Sequence, residues 1–73
     1  MSVKVYSKPA CVQCTATTRA MDARGINYEV VDLTVDGEAF TQVTEMGYRQ
    51  APVVVAGECH WSGFRPDLID QIA

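Results

Sequence analysis

Two cysteines stand three residues apart in the run Ser7-Lys8-Pro9-Ala10-Cys11-Val12-Gln13-Cys14. A thiol pair at that spacing can close a disulfide within one helical turn, or grip a metal from one face. The thiolate is the reactive form. At a helix N-terminus it meets unpaired N–H groups and the positive end of the dipole, which can lower a thiol pKa from about 8.5 to roughly 3.5–7.5. Cys11 stands where a helix would start, with Lys8 as a nearby positive charge. Cys14 lies one turn deeper on the same face, where it can attack a mixed disulfide formed at Cys11. The pair therefore reads as a redox dithiol in which Cys11 attacks and Cys14 resolves.

Zinc is the rival use. It takes four ligands, and Cys59 and His60 could complete the set. Neighbouring residues on a strand point to opposite faces, so both could ligate only if the strand were broken there. Cys59 reads as a small, half-buried residue beside a turn, and His60 as a solvated turn residue. Trp61 and Phe64 read as part core, part surface, with a role at a partner interface.

Ala51-Pro52 is the second functional element. A proline at a strand start can be cis. A cis bond would turn the Ala51 amide and carbonyl outward, to pair with a substrate backbone beside Cys11 by strand addition.

These residues need a scaffold that 73 residues can supply, which implies one domain over 1–73. Val3 to Ser7 reads as a strand, with Val3, Val5 and Ser7 on one face and Lys4 and Tyr6 on the other. Pro9 ends it. Val12 to Arg24 reads as a helix despite Thr15, Thr17 and Thr18, which are weak helix formers. Its expected stripes are Cys14, Thr17, Thr18 and Met21, then Val12, Ala16, Ala20 and Ala23; Gly25 suits the position just past its end. Ile26 to Leu33 reads as a strand parallel to the first, with the helix as a right-handed crossover. Asp36 to Met46 reads as a second helix with Phe40, Val43 and Met46 as its apolar stripe, ended by Gly47. The run at 53–55 is a buried strand, Gly57-Glu58 a tight turn, and Cys59 to Trp61 an antiparallel return. Pro66 opens a last helix. Phe64 and Ile69 are placed to staple its start, and Leu68, Ile69 and Ile72 to face the core. The order β-α-β-α-β-β-α predicts an α/β fold, a four-stranded mixed sheet flanked by three helices.

Composition excludes several classes. The chain carries nine acidic and six basic residues, a formal net charge of −3. The basic residues are scattered, so no nucleic-acid footprint exists. No apolar block approaches the ~20 residues of a membrane span. Met1 to Tyr6 is too short and polar for a signal peptide, which sets the expected location in the cytoplasm. An odd cysteine count argues against a disulfide-stapled secreted mini-protein.

CVQC followed by Thr17, QAPVVV at 50–55 and HWSGFRPD at 60–67 together resemble the NrdH-redoxins, small glutaredoxin-like proteins with thioredoxin-like activity. The likeness spans essentially the whole chain, and the WSGFRPD segment is its most specific part. It implies a thioredoxin fold with Cys11 as nucleophile, Cys14 as resolving cysteine and Pro52 as a cis proline facing them. It implies a partner-binding surface of Lys8, Val12, Gln13, Ala51 and Pro52, with Trp61, Ser62, Gly63 and Phe64 as a loop packed near the site. It further implies a monomer with no cofactor of its own, drawing on NADPH only through thioredoxin reductase and delivering electrons to the catalytic subunit of class Ib ribonucleotide reductase. Glutathione-using glutaredoxins carry a Gly-Gly pair and an Asp where this chain has Ser62-Gly63-Phe64-Arg65-Pro66-Asp67, which weakens a glutathione site. Within the family pattern, Cys59 is a departure.

Overall fold

The computed structural model describes residues 2–73; Met1, the first residue of the segment judged too polar for a signal peptide, lies outside them. Seven elements follow in the expected order: β1 (Val3–Ser7), α1 (Val12–Ala23), β2 (Glu29–Asp32), α2 (Gly37–Glu45), β3 (Val53–Ala56), β4 (Cys59–Ser62) and α3 (Pro66–Ile72). The strands form one sheet in the order β2-β1-β3-β4. β1 pairs parallel with β2 and antiparallel with β3, and β4 is antiparallel to β3. Among the described residues, no helix is long and apolar enough to cross a membrane.

The period-2 pattern of β1 splits the core into two layers. Val3 and Val5 join Val54, Ala56 and Trp61 beneath Met21 of α1 and Ile69 of α3. On the other face, Tyr6 and Val53 pack with Ala39 and Val43 of α2. This is the mixed sheet with helices on both faces that the apolar blocks required.

Several boundaries and faces differ from the sequence reading. β2 begins at Glu29 rather than Ile26 because the Ile26 amide donates to the Met21 carbonyl at 3.0 Å, closing the end of α1. On α2 the buried stripe is Ala39 and Val43, while Phe40 is 57% exposed and Met46 also reaches solvent. The second stripe of α1 is split: Val12 is 85% exposed, while Ala20 packs against the core. Phe64 remains exposed while Ile69 is fully buried, so the expected staple is not part of the core. The loop assigned to Trp61 to Phe64 begins later, because Trp61 and Ser62 belong to β4. Trp61 is buried in the α1–α3 layer and is not a surface residue. His60 is likewise a strand residue, and its Nδ1 lies 2.6 Å from the Tyr48 hydroxyl. Cys59 is exposed, not half-buried.

The threonines of α1 keep their hydroxyls bonded within the helix. Thr15, Thr17 and Thr18 each donate a hydroxyl hydrogen bond to the carbonyl four residues earlier, at 3.2, 2.8 and 3.3 Å. This back-bonding satisfies the hydroxyl within the helix, and it lets Thr17 be fully buried against the sheet. Asp36 caps α2 by accepting from the Ala39 amide at 3.1 Å.

Candidate functional site

The site stands at the carboxyl end of β1, where the chain leaves the sheet for α1. Cys11 is the N-cap of α1, and its Sγ accepts the Cys14 backbone N–H at 3.2 Å. A sulfur thus takes the place normally filled by a serine or aspartate oxygen. Any negative charge developing on that sulfur meets the N–H groups of the first turn. Cys11 and Cys14 are joined as a disulfide with Cα atoms 5.2 Å apart. Cys11 is partly exposed and Cys14 is buried, so the two sulfurs differ in access. The residue before the pair, Ala10, is held at φ 57°. A non-glycine residue in the left-handed region costs about 1–2 kcal/mol, and such residues gather at functional sites.

Opposite the disulfide, the Ala51–Pro52 bond is cis. The Ala51 carbonyl oxygen lies 3.8 Å from Cys11 Sγ. In the disulfide this is a contact only, since the sulfur carries no proton to donate. Pro52 is fully buried at the entry to β3.

A third segment closes on the pair. The Pro52 carbonyl accepts the Gly63 amide at 2.8 Å, and Gln13 Oε1 accepts the Phe64 amide at 3.2 Å. Gln13, inside the CxxC, therefore ties the start of α1 to the turn after β4. Gly63 has φ +84°, and a Cβ there would lie 3.3 Å from Gln13 Oε1. Both facts favour glycine. Gly63→Ala is expected to lower stability by about 1–2 kcal/mol through the backbone alone, measured as a shift of the urea midpoint against wild type. An unchanged midpoint would show that this turn relaxes freely.

The residues singled out from sequence thus divide. Cys11, Cys14, Gln13, Ala51, Pro52, Gly63 and Phe64 come together. Lys8 borders the site from the exposed side and Val12 projects into solvent beside it. Ser62 ends β4, opposite Val53 and one pairing step from Tyr6, which places it toward the same end of the sheet. Trp61 belongs to the core beneath. Cys59 and His60 do not join the pair. Cys59 sits opposite Ala56, and Ala56 opposite Val3, so it stands at the far end of β1. Four residues of strand, about 13 Å, separate that end from Ser7. The register also puts Cys59 and His60 on opposite faces. Among the described residues, no group of three or more His, Cys, Asp or Glu side chains is placed to hold a metal.

Two grooves flank the disulfide. One, about 540 Å³, touches both cysteines along with Lys8, Val12, Thr15 and Val30. The other, about 670 Å³, runs from Lys8 and Ala51 along α2 past Leu33, Phe40, Tyr48 and Arg49. None of the last four was assigned to the site from sequence, where Phe40 reads as part of the α2 stripe. One signal was available: Gly47 ends α2 in a closed turn in which the Tyr48 amide donates to the Val43 carbonyl at 3.0 Å. That turn sets Tyr48 against the α2 face.

Comparison with known proteins agrees with this geometry. The glutaredoxin family model matches residues 3–61. The chain is 46% identical to the glutaredoxin-like protein NrdH of Salmonella typhimurium over 72 residues, covering 99% of this chain and 89% of that protein. It superimposes on the NrdH-redoxin of Escherichia coli with a TM-score of 0.97 at 44% identity, covering 100% of this chain and 96% of the other; that protein is described as a glutaredoxin-like protein with a thioredoxin-like activity profile. The glutaredoxin of Archaeoglobus fulgidus matches with a TM-score of 0.79 at 26% identity, over 97% of this chain and 84% of that one.

Proposed function

The chain belongs to the glutaredoxin family, among its NrdH-type members, and from that premise we propose that it is a protein disulfide reductase working through Cys11 and Cys14. The observation that carries this reading is the thiol pair at the α1 N-terminus, with the Cys14 amide directed at Cys11 Sγ. In the reduced protein, the Cys11 thiolate attacks one sulfur of a substrate disulfide. A Cys11–substrate disulfide forms, the substrate S–S bond breaks, and the leaving thiolate takes a proton. Cys14, losing its own proton, then attacks Cys11 Sγ. The Cys11–Cys14 disulfide forms and the second substrate thiol leaves. Two electrons and two protons pass to the substrate, and no bound cofactor takes part. The exposed sulfur serves as the point of entry and the buried one as the resolving group. Ala51, beside Cys11, offers its backbone to an extended substrate segment, and Val12, Ser62 and Phe64 border it.

The physiological route in this reading runs from NADPH through thioredoxin reductase to this chain, and from it to the catalytic subunit of class Ib ribonucleotide reductase, in the cytoplasm and as a monomer. The likeness to NrdH proteins supports the route. The segment Ser62-Gly63-Phe64-Arg65-Pro66-Asp67 supports the choice of reductant, because it stands where glutathione-using glutaredoxins carry the Gly-Gly pair and Asp that bind the tripeptide. The test is NADPH consumption with thioredoxin reductase and a protein disulfide. Turnover that needs this chain is expected. Turnover with glutathione and glutathione reductase alone would move the chain to the glutathione-dependent class, and turnover with neither would defeat the reading.

A further inference from the structure

The outer edge of β4 pairs with no other strand among the described residues. In the order β2-β1-β3-β4 it is a terminal strand. Its four residues, Cys59–Ser62, carry no lysine, proline or bulge to block a further strand. The register tells which of its backbone groups are free. A two-residue turn at Gly57-Glu58 joins Ala56 to Cys59, so those two exchange their hydrogen bonds and the pattern alternates from there. The Gly63 amide, bonded to the Pro52 carbonyl, keeps the same phase. The amides of Cys59 and Trp61 therefore point into the sheet, and those of His60 and Ser62 point out of it. The Glu58 carbonyl lies anti to the Cys59 amide across a trans peptide and points out as well.

These groups fit a second copy of the same strand. With β4 antiparallel to itself about a two-fold axis and Cys59 opposite Cys59, each outward His60 amide meets the outward Glu58 carbonyl of the other copy. Cys59 then falls at a non-hydrogen-bonded position, where facing Cα atoms stand about 4.5 Å apart, inside the roughly 4.4–6.8 Å that a disulfide spans. On the opposite face, Glu58 of each copy stands across from His60 of the other. All three residues are exposed. Among the described residues, the chain's own ion pairs involve neither Glu58 nor His60. His60 Nδ1 is taken up by the Tyr48 hydroxyl at 2.6 Å, which leaves Nε2 to meet the carboxylate. Beside Cys59, the groove toward α3 is rimmed by the half-buried Leu68 and Ile72. Trp61 lines it at 5% exposure, and its indole N–H has no partner among the described residues, so hydrogen bonding at this end of the sheet is incomplete in the single chain. One register thus aligns backbone groups, opposite charges and the two thiols together. Centring the axis on His60 instead would set the two imidazoles against each other and part the thiols.

We propose that β4 pairs with β4 of a second copy and that peroxide locks the pair through a Cys59–Cys59 disulfide. The Cys59 thiolate of one copy attacks a peroxide oxygen. The O–O bond breaks, a sulfenic acid forms, and the leaving hydroxide takes a proton to become water. The Cys59 thiolate of the other copy then attacks that sulfur. The S–S bond forms and a second hydroxide leaves and is protonated. Two thiols are oxidised and one peroxide is reduced to two waters. An edge contact this short falls well below the ~1,000 Å² expected of a standing dimer, so the reduced chain stays the monomer of the reading above. Cys59 lies at the far end of the sheet from the CxxC, so both redox pairs remain open in the dimer.

The test uses the full chain with Cys11–Cys14 closed and Cys59 reduced, treated with a small excess of hydrogen peroxide. Sedimentation should find a monomer before treatment and a dimer after it, and mass spectrometry a Cys59–Cys59 linked peptide that dithiothreitol releases. Amide hydrogen exchange separates the proposed register from a mere tether. The His60 amide should slow by about tenfold or more in the dimer, while the Cys59 and Trp61 amides, already bonded within the sheet, barely change. His60→Glu sets a like charge against Glu58 and should slow crosslinking by roughly threefold or more. Adding Glu58→Lys to that variant should restore the rate. A chain that stays monomeric while Cys59 goes on to the sulfinic acid overturns the proposal. So does a crosslinked dimer whose His60 amide exchanges as in the monomer, or a dimer that Cys59→Ser leaves intact. The exchange of the wild-type dimer decides the matter even if a variant fails to fold.

Discussion

Cys11→Ser is expected to reduce disulfide turnover by on the order of 10³-fold or more, the scale on which loss of an enzyme's nucleophile is felt. A serine hydroxyl is not ionised near neutral pH, so the N-cap geometry that favours negative charge on Cys11 Sγ has nothing to act upon. Cys14→Ser separates the two half-reactions. Cys11 can still attack, but no thiol remains to displace the substrate, so a Cys11–substrate disulfide accumulates. Mass spectrometry should find one covalent equivalent per chain, released by dithiothreitol. The double variant should trap nothing. An adduct in Cys14→Ser mapping to Cys59, which is exposed, would contradict the assignment, as would undiminished turnover in Cys11→Ser.

What sequence could and could not disclose about this site follows from the range of the interactions involved. Cys11 and Cys14 were legible because cap, thiol pair and helix start all lie within four residues. Pro52 and the turn at Gly63 were legible only as motifs. The Gln13–Phe64 hydrogen bond that joins them spans 51 positions, and no local pattern encodes it. The errors share a cause. Phe40 falls at helical spacing with Val43 and Met46 and so reads as part of the apolar stripe of α2, yet the sheet is covered by Ala39 and Val43 on one face and by Met21 and Ile69 on the other. In a chain this small the helices turn small residues inward and leave some large ones in water. Trp61 is more deeply buried than its sequence context implies. The motif implies a loop packed near the site and the residue type a place part in the core and part at the surface, but the two-residue turn at Gly57-Glu58 sets Cys59 opposite Ala56, and that register sends Trp61 wholly to the face of Val5 and Val54.

That buried layer predicts the largest loss of stability. Ile69→Ala is expected to cost about 2–5 kcal/mol. A domain of this size commonly has only about 3–5 kcal/mol from its core, so the variant should be largely unfolded at 37 °C. The reason lies in α3. Its seven residues, Pro66–Ile72, are too few to be helical alone, and Ile69 is its fully buried anchor against the sheet. The Arg24–Asp70 ion pair also ties α3 to the end of α1, but its members are partly exposed, and such pairs contribute about 0–1 kcal/mol. Burial therefore decides whether α3 docks. Trp61 belongs to the same cluster as Ile69, so its emission should shift to the red as the layer opens, in step with the loss of far-ultraviolet circular dichroism. Phe40→Ala, on the exposed side of α2, should move the urea midpoint by less than about 0.5 kcal/mol. If Ile69→Ala proved no more costly than Phe40→Ala, the α1–α3 layer would not be what holds the CxxC helix on the sheet.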